Sequence, residues 1–185
     1  MSSHKKNTEN LPSKRDTNDN KLQPPPPPPP CTLMTSRFSD ETILQNREYC
    51  AKYGVKSIYC SPSKITQSIK ENSALFILEL NITKNRVEAI GLVKNRAKYG
   101  IHVYSNGNYN RYVYVGQYRI ERHDMTEEEE KIMEFFDIIC FRGKYHMKRG
   151  SGITRFTTYI LNICNKRFDL IDYIRKMFKK RISGS

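Results

Sequence analysis

The stretch "ALFILELNITKNRVEAIGLVKN", Ala74 to Asn95, constrains this chain more than any other. Two apolar, β-leaning runs flank the turn signal "TKN", which is the pattern of an antiparallel hairpin. Helices are predicted on its N-terminal side. "SDETILQNREYCAKYG" carries Ser39 as N-cap, acids in the first turn and Gly54 as terminator. "VKSIYC" reads as a strand from Val55 to Cys60. In "SPSKITQSIKEN", Ser61 as cap and Pro62 at the first helical position predict a short helix.

Beyond the hairpin lies a Gly/Asn-rich loop, "GIHVYSNGNYN", and then "RYVYVGQYRIER". The latter sets Tyr112, Tyr114, Tyr118 and Ile120 against Val113, Val115 and Arg119, a strand or strand pair bent at Gly116. "MTEEEEKIMEFFDIICF" is a helix with a capping box from Thr126 to Glu129, its acids set against the positive end of the helix dipole. "TTYILNIC" and a cationic helix, "FDLIDYIRKMFKKRI", close the chain; Leu170, Ile171, Ile174 and Phe178 form the apolar stripe of that helix. Strands and helices are segregated, so the fold class is α+β: a small curved antiparallel sheet, or a small barrel, flanked by helices.

The chain of 185 residues has room for one domain and a tail. Residues 1–37 are polar and hold seven consecutive prolines, Pro24 to Pro30. Such a composition predicts a disordered tail ending before residue 38. The prolines predict a polyproline II rod of about 20 Å, either a spacer or a ligand for a profilin, SH3 or WW groove of a host partner. Residues 38–185 form the predicted domain. The five cysteines have no CxxC spacing and sit among apolar neighbours, as reduced core thiols do. No run is long and apolar enough to span a bilayer, and the N-terminus has no signal-peptide core. The expectation is a soluble protein of a reducing compartment, with no cofactor.

Charge placement narrows the function. The net charge of +13 divides into +3 over residues 1–37, zero over 38–141 and +10 over 142–185. A polyanion would feel the C-terminal quarter. There, "CFRGKYHMKRGSGITRF" places five cations, His146 and three glycines in seventeen residues. It is not a P-loop: G-x-x-x-x-G-K-[ST] occurs nowhere, and Phe156 stands where a G-x-G-x-x-G motif would end. In a Gly-rich segment backbone N–H groups can approach phosphates closely. Lys144, His146, Lys148, Arg149 and Arg155 are therefore the predicted phosphate contacts, with Gly150 and Gly152 permitting close approach. Tyr112, Tyr114 and Arg119 are the predicted secondary surface, since aromatics beside cations stack single-stranded bases.

"FILELNITKNRVEAIGLVKN", "YNRYVYVGQYRIER" and "CFRGKYHMKRGSGIT" together resemble uncharacterised proteins of giant nucleocytoplasmic DNA viruses, the mimivirus-like and algal viruses. That resemblance implies a setting of host cytoplasm, viral factory or virion. The hairpin ending "EAIGLVKN" is similar to a strand of EVE and related PUA-like domains, small barrels that often bind modified bases or RNA. It implies a PUA-like barrel; the YTH relatives cage a base with Trp, whereas this chain has no Trp and twelve Tyr.

The leading expectation is a non-enzymatic nucleic-acid-binding module, for RNA or DNA. The alternatives are a virion or host-interaction protein acting through the proline rod and a basic face that meets acidic protein or membrane, and a nucleic-acid-processing enzyme with His146 as general base.

Overall fold

A computed structural model describes residues 30–144 and 146–184 of the chain. The proline run, apart from Pro30, lies outside the described residues.

The hairpin forms as expected. It joins β3 (Ala74–Asn81) to β4 (Arg86–Lys94), with a register shift at Glu79/Leu80. The first helix, α1 (Asp40–Tyr53), starts at Ser39, whose side chain accepts from the Thr42 N–H, and ends at Gly54 in the left-handed conformation. Glycine suits that position because it has no Cβ to clash there.

The tail boundary is corrected. Cys31–Phe38 is a strand, β1, inside the domain. It pairs in parallel with β3 over its full length and antiparallel with β7 (Ile153–Arg155). With β6 (Tyr118–Glu121) at the far edge, the sheet is therefore mixed, in the order β6-β4-β3-β1-β7, and it does not close into a barrel. The all-antiparallel expectation fails because β1 and β3 are joined by a long crossover that contains α1, the strand Ser57–Ser61 and residues 62–73. Such a crossover sets two strands parallel.

The Gly116 bend has a larger consequence than a kink. β5 (Tyr112–Gly116) pairs with β2 (Ser57–Ser61) in a separate two-stranded sheet, while β6 (Tyr118–Glu121) pairs with β4. The chain changes sheet there. A Cβ at Gly116 would overlap the Leu92 carbonyl and the Ser57 hydroxyl.

No helix forms after Ser61. That residue ends β2, and its hydroxyl accepts from the Ile153 and Ser63 N–H groups. Residues 62–73 instead make turns that bury Ile65 and Ile69.

The five-stranded sheet is covered on both faces. On one, Leu33, Phe76, Leu78 and Ile90 pack against α2 (Glu127–Phe141) and α4 (Leu170–Ser183), with Phe76 stacked on Phe178 at 5.3 Å. On the other, Met34, Leu75, Ile77 and Val93 meet Tyr59 and Tyr114 from the small sheet. The helix α3 (Thr158–Cys164) is short and contributes no buried residue. Thr126 and Glu129 make the expected capping box of α2. The buried stripe of α4 is Leu170, Ile174, Met177 and Phe178, and Ile171 is half-buried. None of the described helices is long and apolar enough to cross a membrane.

Candidate nucleic-acid interface

β1 ends beside the start of α1, and two loops close over that junction. The result is a cleft of about 350 Å³, at the lower end of the range for small-ligand sites. Its walls are Arg37 and Phe38 of β1, Thr42 and Gln45 of α1, Tyr104 and Tyr109 of one loop, and Lys148, Gly150 and Gly152 of the other.

Each wall is fixed by the local sequence. The Gln45 side chain accepts from the Ser105 N–H at 3.1 Å, tying α1 to the first loop. Asn110 shapes that loop, since its carboxamide accepts from the Val103 and Tyr104 N–H groups and donates to the Tyr104 carbonyl. Asn106 caps the 3-10 turn Gly107–Arg111 that carries Tyr109. Asn46 donates to the Tyr104 hydroxyl at 3.1 Å, leaving the phenol proton of Tyr104 able to donate elsewhere. Burial pushes the Tyr104 phenol well above its ordinary pKa, so it is neutral at physiological pH.

The second loop belongs to the predicted basic segment. Gly150 and Gly152 both have positive φ, at 103° and 66°. Lys144, Lys148, Arg149 and Arg155 are exposed. Lys148 lines the cleft with its ammonium 5.9 Å from the centre of the Phe141 ring, a weak cation–π contact that leaves the charge facing water.

Gly152 has a packing role rather than a phosphate-facing one. It is buried, and a Cβ there would overlap the Ser61 hydroxyl and crowd Pro62.

His146 is half-buried. Its Nδ1 is enclosed, with no hydrogen-bond partner among the described residues. A general base needs a partner that fixes its tautomer and aim, and no described residue supplies one here. Nor do the described residues contain a cluster of His, Cys, Asp or Glu able to hold a metal.

The secondary surface is corrected in two of its three members. Tyr114 is fully buried, and its hydroxyl accepts from the Ile65 N–H at 3.1 Å, so no base can stack on it. Arg119 has only 5% of its side chain exposed and grips buried Glu79 through two bonds of 2.8 and 2.9 Å. A guanidinium enclosed in this way cannot reach a phosphate. Tyr112 remains half-exposed, edge-to-face with Tyr99 at 5.7 Å.

Glu79 anchors a buried polar network. Tyr59 donates to Glu79 at 2.7 Å and Arg47 at 2.6 Å. Burial alone would push the Glu79 carboxyl up, but Arg119 and Arg47 hold it down to about 2. Through Arg47 and Asn46 this network continues to the Tyr104 hydroxyl and so braces the cleft wall.

Much of the cationic face of α4 is neutralised internally. Arg175 and Lys176 pair with Asp172, and Arg181 pairs with Glu129, while Lys179 and Lys180 stay exposed. One carboxylate thus serves two cations of α4, and the helix keeps a smaller excess of positive charge than its sequence alone suggests.

Arg37, Phe38 and Tyr104 were not among the residues predicted for the site. Tyr109 was visible only as one tyrosine of a Tyr/Arg-rich stretch. The sequence carries no signal for them, because the strand that brings Arg37 and Phe38 to the start of α1 lies largely within the predicted tail.

Comparison with protein-family models, curated proteins and solved structures found no match for this chain. The functional reading therefore stands on the site itself.

Proposed function

We propose that this protein is a non-enzymatic module that binds single-stranded nucleic acid, with the exposed loop cations on the backbone and a base seated in the adjoining cleft. One observation carries this reading: a cleft walled by Tyr104 and Tyr109 opens beside Arg37 and Lys148, next to a loop rich in exposed cations. Stacking rings next to phosphate-facing cations are the two components that sequence-tolerant single-strand binding requires.

The neighbouring groups set the chemistry. The Tyr104 hydroxyl and the polar groups of Gln45, Ser105 and Asn106 offer hydrogen bonds to a base edge. Glu41 also lines the cleft, so an anionic group bound deeply there would be repelled. That favours the base inside and the phosphates outside, at Lys144, Lys148, Arg149 and Arg155.

The test is fluorescence-anisotropy binding of the full chain to short single- and double-stranded DNA and RNA across a salt series, with Lys148→Glu/Arg149→Glu alongside. Affinity should fall steeply with salt for the native chain, and the slope should flatten by about two counterions in the double variant. Absence of binding at low salt would reject this reading.

A further inference from the structure

The basic loop has a shape that its own backbone does not explain. β7 pairs with β1 only from Met34 to Ser36, and the chain just before Ile153 leaves the ladder through the positive-φ residues Gly152 and Gly150. Carbonyls in such a segment have no strand partner, and carbonyls withdrawn from water need donors.

Arg37 supplies them. It is the next β1 residue, where β7 no longer follows. Its Nε donates to the Gly150 carbonyl at 3.0 Å, and its Nη1 donates to the Met147 carbonyl at 3.1 Å and the Thr154 hydroxyl at 3.3 Å. A longer contact of 3.5 Å runs from Nη2 to the Gly152 carbonyl. One planar guanidinium thus spans four residues of the loop. Among the described residues no carboxylate lies within ion-pair distance of it. Among the described residues its acceptors are loop carbonyls and the Thr154 hydroxyl, so it is directed at this loop and at the cleft it lines.

We infer that Arg37 is the positioning residue of the interface, a latch that holds residues 147–154 in their binding shape before any ligand arrives. The inference rests on the nucleic-acid reading for its purpose, but not for its test. Preforming the loop removes the ordering cost that a free Gly-rich segment would add to binding. Lysine cannot replace it, because an ammonium on a flexible stem has no fork to reach several acceptors in fixed directions.

The experiment is amide hydrogen exchange on the full chain without ligand, comparing the native protein with Arg37→Lys and Arg37→Ala. Residues 147–155 should exchange roughly ten-fold faster or more in both variants, since several charge-assisted bonds are lost. The β3–β4 hairpin should keep its protection and so report that the fold is intact. Unchanged loop exchange in Arg37→Ala, or full protection in Arg37→Lys, would overturn the latch. Anisotropy on the same samples separates the two readings. A loosened loop in a chain that never binds nucleic acid would uphold the latch and reject the function. A native chain that binds, with loop protection equal in all three proteins, would do the reverse.

Discussion

The hydroxyl of Tyr59 occupies the space that a Cβ on Gly91 would fill. Tyr59 comes from the small sheet and Gly91 from the centre of β4, so this one glycine lets the two sheets approach until Tyr59 reaches Glu79. Substituting Gly91→Ala should cost about 1–3 kcal/mol, the range for overpacking a closed core. Urea denaturation would show the midpoint shift, and an unchanged midpoint would mean that the sheets can separate freely.

The carboxylate on the other side of that contact predicts acid sensitivity. Its folded pKa of about 2 lies below the ordinary glutamate value of about 4.3. A group depressed on folding contributes stability that is complete above the unfolded pKa and is lost as pH falls through the folded one. Stability should therefore decline between about pH 5 and pH 2, by on the order of 3 kcal/mol from this group. Glu79→Gln should be less stable at neutral pH yet show a flatter decline in the same window, measured by denaturant melts at successive pH values.

Arg119 should behave as a structural residue and not as a contact. Arg119→Met leaves Glu79 buried with Arg47 and Tyr59 as its remaining partners. The expected loss is about 3 kcal/mol, the low end for breaking a buried pair. Binding measured well below the melting temperature should keep the native salt slope. A flattened slope would return Arg119 to the interface.

Tyr109 gives the opposite pattern. It stands on the 3-10 turn at the cleft, half-buried against the Cys50, Ile58, Cys60 and Val113 cluster, so Tyr109→Ala should lower the melting temperature modestly while leaving the chain folded. Single-strand affinity should fall by about 1–3 kcal/mol, the loss expected for one stacked base. Duplex binding through phosphates alone should hardly change, and equal losses on both would argue against a base in the cleft.

Truncation tests the corrected boundary. A fragment of residues 38–185 lacks β1 and so removes the strand between β3 and β7. It should be unfolded by circular dichroism, whereas a fragment beginning at residue 30 should retain the native spectrum.

The features legible in the chain alone were those with local causes. Ser39 and Gly54 bracket α1, Thr126 and Glu129 cap α2, and "TKN" turns the hairpin, because each effect acts within a few residues. The concentration of positive charge after residue 141 is likewise plain from order alone. What the tertiary structure decided was which groups those residues would meet. "CTLMTSRF" looks polar in isolation, yet parallel pairing with a strand more than forty residues away makes it an interior strand. Arg119 and Arg149 are both arginines in basic stretches, but Glu79 waits beneath one and solvent over the other. Arg37 becomes the anchor of a loop more than a hundred residues distant only when β7 stops pairing one residue short of it. Burial and the partner of a charge are set by contacts across the sheet, and spacing along the chain carries no record of them.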